Sequence, residues 1–111
     1  MINILIIKSK QNIVTIEATG HSGYAEAGSD IVCSAVSTLM QSLANGLTEV
    51  VKAEAKVIVD EEIPHLSVTL CEQNVDKLKN AQMLMQTTVL SLKEIANGYS
   101  KFIKIKEKQN D

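Results

Sequence analysis

Along this chain the spacing of apolar residues switches repeatedly between a period of two and a period of three to four, and that alternation restricts the fold more than any other feature. Ile2 to Lys8 is an apolar, β-branched run, and Ile13 to Thr19 alternates, with Val14, Ile16 and Ala18 on one face. The polar stretch Ser9 to Asn12 between them predicts a hairpin. From Asp30 the period changes: Val32, Val36, Leu39, Leu43, Leu47 and Val50 mark an amphipathic helix running to about residue 53, with Ser29 or Asp30 as its N-cap. Val57 and Val59, a turn at Asp60 to Pro64, and strict alternation of Leu66, Val68 and Leu70 predict a second hairpin. Asn74 opens a second helix with the stripe Leu78, Ala81, Met85, Val89, Leu92 and Ala96, Gly98 stands at its C′ position, and residues 99–106 read as a fifth strand. The order ββαββαβ is that of an α+β, two-layer fold: a five-stranded antiparallel or mixed sheet with two long helices on one face. The other sheet face is then either solvated or buried by self-association.

With 111 residues, 45% of them apolar, the chain can bury a core without disulfide or metal staples. One domain over residues 1–106 is expected, followed by a polar tail over 107–111. The net charge is -2, and every basic residue is a lysine, so no arginine is available for bidentate phosphate or guanine contacts. Direct nucleic-acid binding is not expected. The lysines at 101, 104, 106 and 108 read as a solvated edge strand. No apolar run approaches a membrane span, and Met1 to Ile7 is too short for a signal peptide, so a cytoplasmic, reducing setting is expected. Cys33 and Cys71 lack a C-x-x-C partner, which leaves a dithiol and a zinc ribbon unsupported; no metal and no cofactor are expected.

The chemistry concentrates between Gly20 and Ser37. His21 lies in a loop punctuated by Gly20, Gly23 and Gly28, and Cys33 follows just inside the second-layer helix. A helix N-terminus carries partial positive charge and unpaired N–H groups, which favour thiolate over thiol. Its contribution is only about 0.3–1 kcal/mol, and Asp30 opposes it with a negative charge one turn earlier, so a cation is needed. His21 is the candidate, acting as base or as partner of the anion. Ser37, four residues after Cys33, shares its helical face and either holds a reacting group or bonds its own helix. Backbone N–H groups of Val32 and Cys33 are candidate oxyanion donors. The plain alternative stands beside this: Cys33 as a small packed apolar residue and His21 as a surface histidine. Cys71 reads as packing and His65 as an exposed turn residue.

The block Gly20-His21-Ser22-Gly23-Tyr24, followed by Gly28-Ser29-Asp30-Ile31-Val32-Cys33-Ser34-Ala35-Val36-Ser37, closely resembles the signature of the ribosomal-processing cysteine proteases, the Prp family. The likeness continues through Leu39, Asn45, Gly46 and Leu47. It implies that His21 and Cys33 form a catalytic dyad, with Asp30 and Ser37 as supporting positions and Gly20, Ser22, Gly23, Tyr24, Gly28 and Ser29 as a substrate-binding loop. It further implies an endopeptidase that removes a short N-terminal extension from a large-subunit ribosomal protein after an aromatic pair, as a homodimer without cofactor. Two other classes compete with this one. A non-catalytic ribosome-associated assembly factor would use Cys33 for packing, and a different thiol enzyme, such as an acyltransferase, would use it on another substrate.

Overall fold

The computed structural model of the chain describes residues 1–20, 29–60 and 65–110. Strands β1 (Ile2–Ser9) and β2 (Asn12–Thr19) form the first hairpin, and helix α1 (Ser29–Asn45) follows, ending in a single π-helical turn (Gly46–Val50). Strands β3 (Ala55–Asp60) and β4 (His65–Leu70) form the second hairpin; α2 (Val75–Gly98) and β5 (Ile103–Gln109) complete the chain. This is the expected order ββαββαβ. The strands lie in the order β3-β4-β2-β1-β5. Every neighbouring pair is antiparallel except β1 with β5, which is parallel, so the sheet is mixed.

Two crossovers account for the layering. Helix α1 carries the chain from β2 over β4 to β3, and α2 carries it from β4 over β2 and β1 to β5. The crossovers run in opposite directions along the sheet from strands that point in opposite directions. The right-handed rule for such connections then puts both helices on the same face. Between the layers lies the core: Ile2, Ile4, Ile6, Ile16, Val68 and Ile103 from the sheet, and Val32, Val36, Met40, Leu43, Leu47, Ala81, Met85, Val89 and Leu92 from the helical side. Each large side chain buried there stabilises the fold by about 1.5–3 kcal/mol.

Several sequence expectations shift in detail. The register between β1 and β2 slips between Ile7 and Lys8, leaving Val14 as an extra residue. Ile13 and Ile16, rather than Val14, Ile16 and Ala18 together, therefore reach the core. The π-helical turn rotates Val50 out to 79% exposure while Leu47 stays fully buried. Leu39, Leu78 and Ala96 are half-buried at the margins of their stripes. Gly46 is where α1 meets α2: a Cβ built there would lie 2.8 Å from Leu84 Cδ1. The last strand begins at Ile103, and residues 107–109, read above as the start of a tail, pair with Ile6, Ile7 and Lys8. The sheet face away from the helices carries Asn3, Thr15, Glu17, Thr19, Lys104 and Lys106, with Leu5, Ile7 and Ile58 among them, and Thr15 and Thr69 share a 3.2 Å hydroxyl contact.

Candidate active site

Strand ends converge at one end of the sheet. The pairing of Thr19 with His65 and of His65 with Asp60 aligns the finish of β2, the start of β4 and the finish of β3. The early turns of α1 cross over this end. Between them lies a cleft of about 340 Å³, lined among others by Gly20, Cys33, Ser37, Val59, Asp60 and His65. Cys33 is a free, half-buried thiol that packs against the core while facing the cleft. Its position follows from helical periodicity, because Val32 and Val36 on either side of it are buried. Ser37 lines the same cleft one turn later, so the sequence expectation that the two share a face holds.

Helix α1 already includes Ser29, and Cys33 is therefore its fifth residue rather than its third or fourth. In the α-helical pattern the Cys33 N–H is then committed to the Ser29 carbonyl, and it is withdrawn from the expected oxyanion pair. Ser29, Asp30 and Ile31 hold the first-turn N–H groups without an intrahelical acceptor. The dipole fades within that turn, which increases the share that a nearby cation must supply.

Gly20 closes β2 with φ +82 and lines the cleft. A side chain there would be strained, and its Cβ would lie 2.6 Å from the Met1 carbonyl oxygen. Of the other residues singled out by sequence, His21, Ser22, Gly23, Tyr24 and Gly28 lie outside the described residues, as do the side chains of Ser29 and Asp30. The structure therefore brings together Cys33, Ser37 and Gly20.

It also adds residues that sequence reasoning did not place. His65, read as an exposed turn residue, is half-buried at the cleft, and its Nε2 donates to Glu17 Oε2 at 3.1 Å. Val59 and Asp60 stand at the cleft because β3 ends there. The hairpin expected from sequence put Asp60 in its turn, whereas the strand continues through Asp60, which pairs with His65, and the position of β4 next to β2 carries both to Gly20. Cys71 is exposed rather than packed, and its N–H donates to the Glu54 carbonyl at 2.8 Å. Among the described residues no cluster of His, Cys, Asp and Glu is arranged to hold a metal ion. No helix among them is long and apolar enough to cross a membrane.

The geometry can be set against known proteins. Residues 1–104 match the family described as Cysteine protease Prp. The chain is similar to the ribosomal processing cysteine protease Prp of Staphylococcus aureus, at 27% identity over 104 residues, covering 94% of this chain and 95% of that protein. Among solved structures, SMU.848 from Streptococcus mutans superposes with a TM-score of 0.88 at 29% identity, over 99% of this chain and 96% of that one. A Prp from S. aureus in complex with a covalently linked product peptide superposes with a TM-score of 0.83 at 25% identity, over 97% of this chain and all of that one. A half-buried cysteine in a cleft at a helix start, on this ββαββαβ fold, matched along nearly the whole length, places the chain in the Prp family of cysteine proteases.

Proposed function

We propose that this protease uses a Cys33–His21 dyad to remove a short N-terminal extension from a large-subunit ribosomal protein. Cys33 Sγ attacks the scissile carbonyl carbon, and the resulting oxyanion is met by first-turn N–H groups of α1. His21 takes the thiol proton and returns it to the leaving amine, and water then releases the acyl group from sulfur. The observation that carries this reading is the placement of the Cys33 thiol in the cleft that Gly20 also lines. His21 follows Gly20 by one peptide bond, and that chain position supports the pairing. Asp30 and Ser37 are proposed as supporting groups, and the loop over residues 20–29 as the part that receives the substrate. Ribosomal processing is carried over from the name of the S. aureus relative, and a covalently linked product peptide in a similar structure supports a thioester-type intermediate. We further propose a homodimer acting in the cytoplasm.

A synthetic peptide carrying the aromatic-ended extension and the residues after it tests the assignment. Cys33→Ala and Cys33→Ser should abolish cleavage with an unchanged melting temperature, since both residues fit a helix without strain. His21→Ala should reduce turnover by about 10²–10⁴-fold and slow alkylation of Cys33 by iodoacetamide. Turnover retained in a Cys33 variant would end the nucleophile assignment. An alkylation rate no faster than that of an unfolded thiol, with no cleavage, would favour a non-catalytic assembly factor.

A further inference from the structure

The two edges of the sheet are built differently. Edge strand β5 displays Lys104, Lys106 and Lys108, the charged guard that discourages strand pairing. Edge strand β3 displays Val57, Ile58 and Val59, exposed at 38%, 39% and 60%, with Lys56 before them. Three consecutive β-branched apolar residues on an open edge form a template for another strand.

The hydrogen-bond phase of β3 is fixed by its first contact with β4. Cys71 N–H donates to the Glu54 carbonyl at 2.8 Å, which makes Glu54 and Cys71 a hydrogen-bonded pair. Alternation then turns the backbone groups of Lys56, Ile58 and Asp60 toward β4. Those of Ala55, Val57 and Val59 point outward, and among the described residues no strand meets them. Val57 and Val59 stand opposite Val68 and Leu66, so their side chains lie on the helix-facing side of the sheet, and Val59 lines the Cys33 cleft. The outward peptide groups and the thiol thus adjoin one another.

We propose that the outer edge of β3 holds the substrate: an extended peptide pairs with Val57 and Val59 as a sixth strand, and this pairing delivers its scissile bond to Cys33. The inference rests on the protease reading above. A cleft of about 340 Å³ accepts only a few side chains, so a polypeptide must be gripped outside it. Strand addition supplies that grip through main-chain bonds, with alternate side chains directed to the helix side for selection. The continuity of this edge with the cleft favours a substrate peptide over a second copy of the chain.

Val57→Pro and Val59→Pro each delete an outward N–H while sparing the bonds that Lys56, Ile58 and Asp60 make to β4. Each should raise KM for the synthetic peptide by about three- to tenfold, and Val57→Pro, whose side chain is outside the cleft lining, should leave the alkylation rate of Cys33 unchanged. A second measurement needs only the wild-type chain: peptides in which successive backbone amides are N-methylated should lose cleavage with a period of two. An unchanged KM in both variants, or a scan without that alternation, overturns the proposal. Sedimentation as a smaller species with unchanged KM assigns the edge to a second copy and overturns it as well. Failure of the wild-type chain to cleave the unmodified peptide removes the protease reading itself, whereas cleavage with a flat scan removes only the edge.

Discussion

Gln82 is a polar residue on the buried side of α2, 7% exposed, and its amide explains how β2 extends past its ladder with β4. Its Oε1 accepts from the Ile13 N–H at 2.9 Å, and its Nε2 donates to the Ile13 carbonyl at 2.7 Å. Ile13 pairs with Lys8 on β1, but on its other side the ladder with β4 reaches only Thr15, so Gln82 stands in for a strand partner where the core offers no water. Gln82→Met keeps the volume but strands both groups, so it should cost about 2–5 kcal/mol in urea unfolding. Nothing in the sequence marked Gln82 for this task, because a single polar residue in an amphipathic helix reads as solvent-facing until the unpaired stretch of β2 opposite it is known. Gly20 was legible as a loop residue, but its reason was not. At φ +82, with the Met1 carbonyl 2.6 Å from any Cβ, Gly20→Ala should cost about 1–2 kcal/mol from backbone conformation alone, measured by thermal melting.

At the scale of elements, two carboxylates tie secondary structures together. Glu72 accepts from the backbone N–H of Glu54 at 2.7 Å, Asn74 at 3.0 Å and Gln73 at 3.1 Å, clamping the approach to β3 against the start of α2. The Asn74 bond foremost, then that of Glu54, holds its carboxyl below the usual carboxylate range. Glu107 is likewise lowered, chiefly by the Lys93 ammonium 2.8 Å away on α2, with Lys8 at 3.7 Å adding to it. A carboxylate lowered in the folded state binds fewer protons there than in the unfolded chain, so its contribution is present above the unfolded value and fades as pH falls through the folded one. The destabilisation caused by Glu72→Gln or Glu107→Gln should therefore be evident near about pH 7 and shrink toward about pH 3, read from urea midpoints of mutant and wild type. Asn74 as the cap of α2 was visible in the sequence, and its side chain does accept from Lys77 N at 3.0 Å. The end of α1 was not, because a π-helical turn keeps helical spacing while shifting the phase by which Val50 was assigned to the core.

For the molecule as a whole, element order and type were legible because each element carries its own period, whereas strand order was not, because it depends on which strands the crossovers bring together. The candidate site shows the same division: Cys33 and Ser37 share a helix, so periodicity placed them together, while Val59 and His65 reach the cleft only through the sheet order β3-β4-β2. The C-terminus shows it again. Removal of residues 107–111 takes away three paired positions of β5 and the Glu107 contacts, and should lower stability by about 2 kcal/mol, roughly 8–10 °C in Tm.

The parallel pairing of β1 with β5 joins the first strand of the chain to the last. That pairing, Ile2 with Ile103 through Lys8 with Gln109, closes only after both hairpins and both helices have been placed between its strands in the sequence, and until β5 docks Ile2, Ile4 and Ile6 belong to an open border. Ile2 also lines the cleft, and its N–H donates to the Phe102 carbonyl at 2.8 Å. The wall beside Cys33 is thus finished only when β5 is in place, so a chain in which that strand has not yet paired carries no completed cutting site.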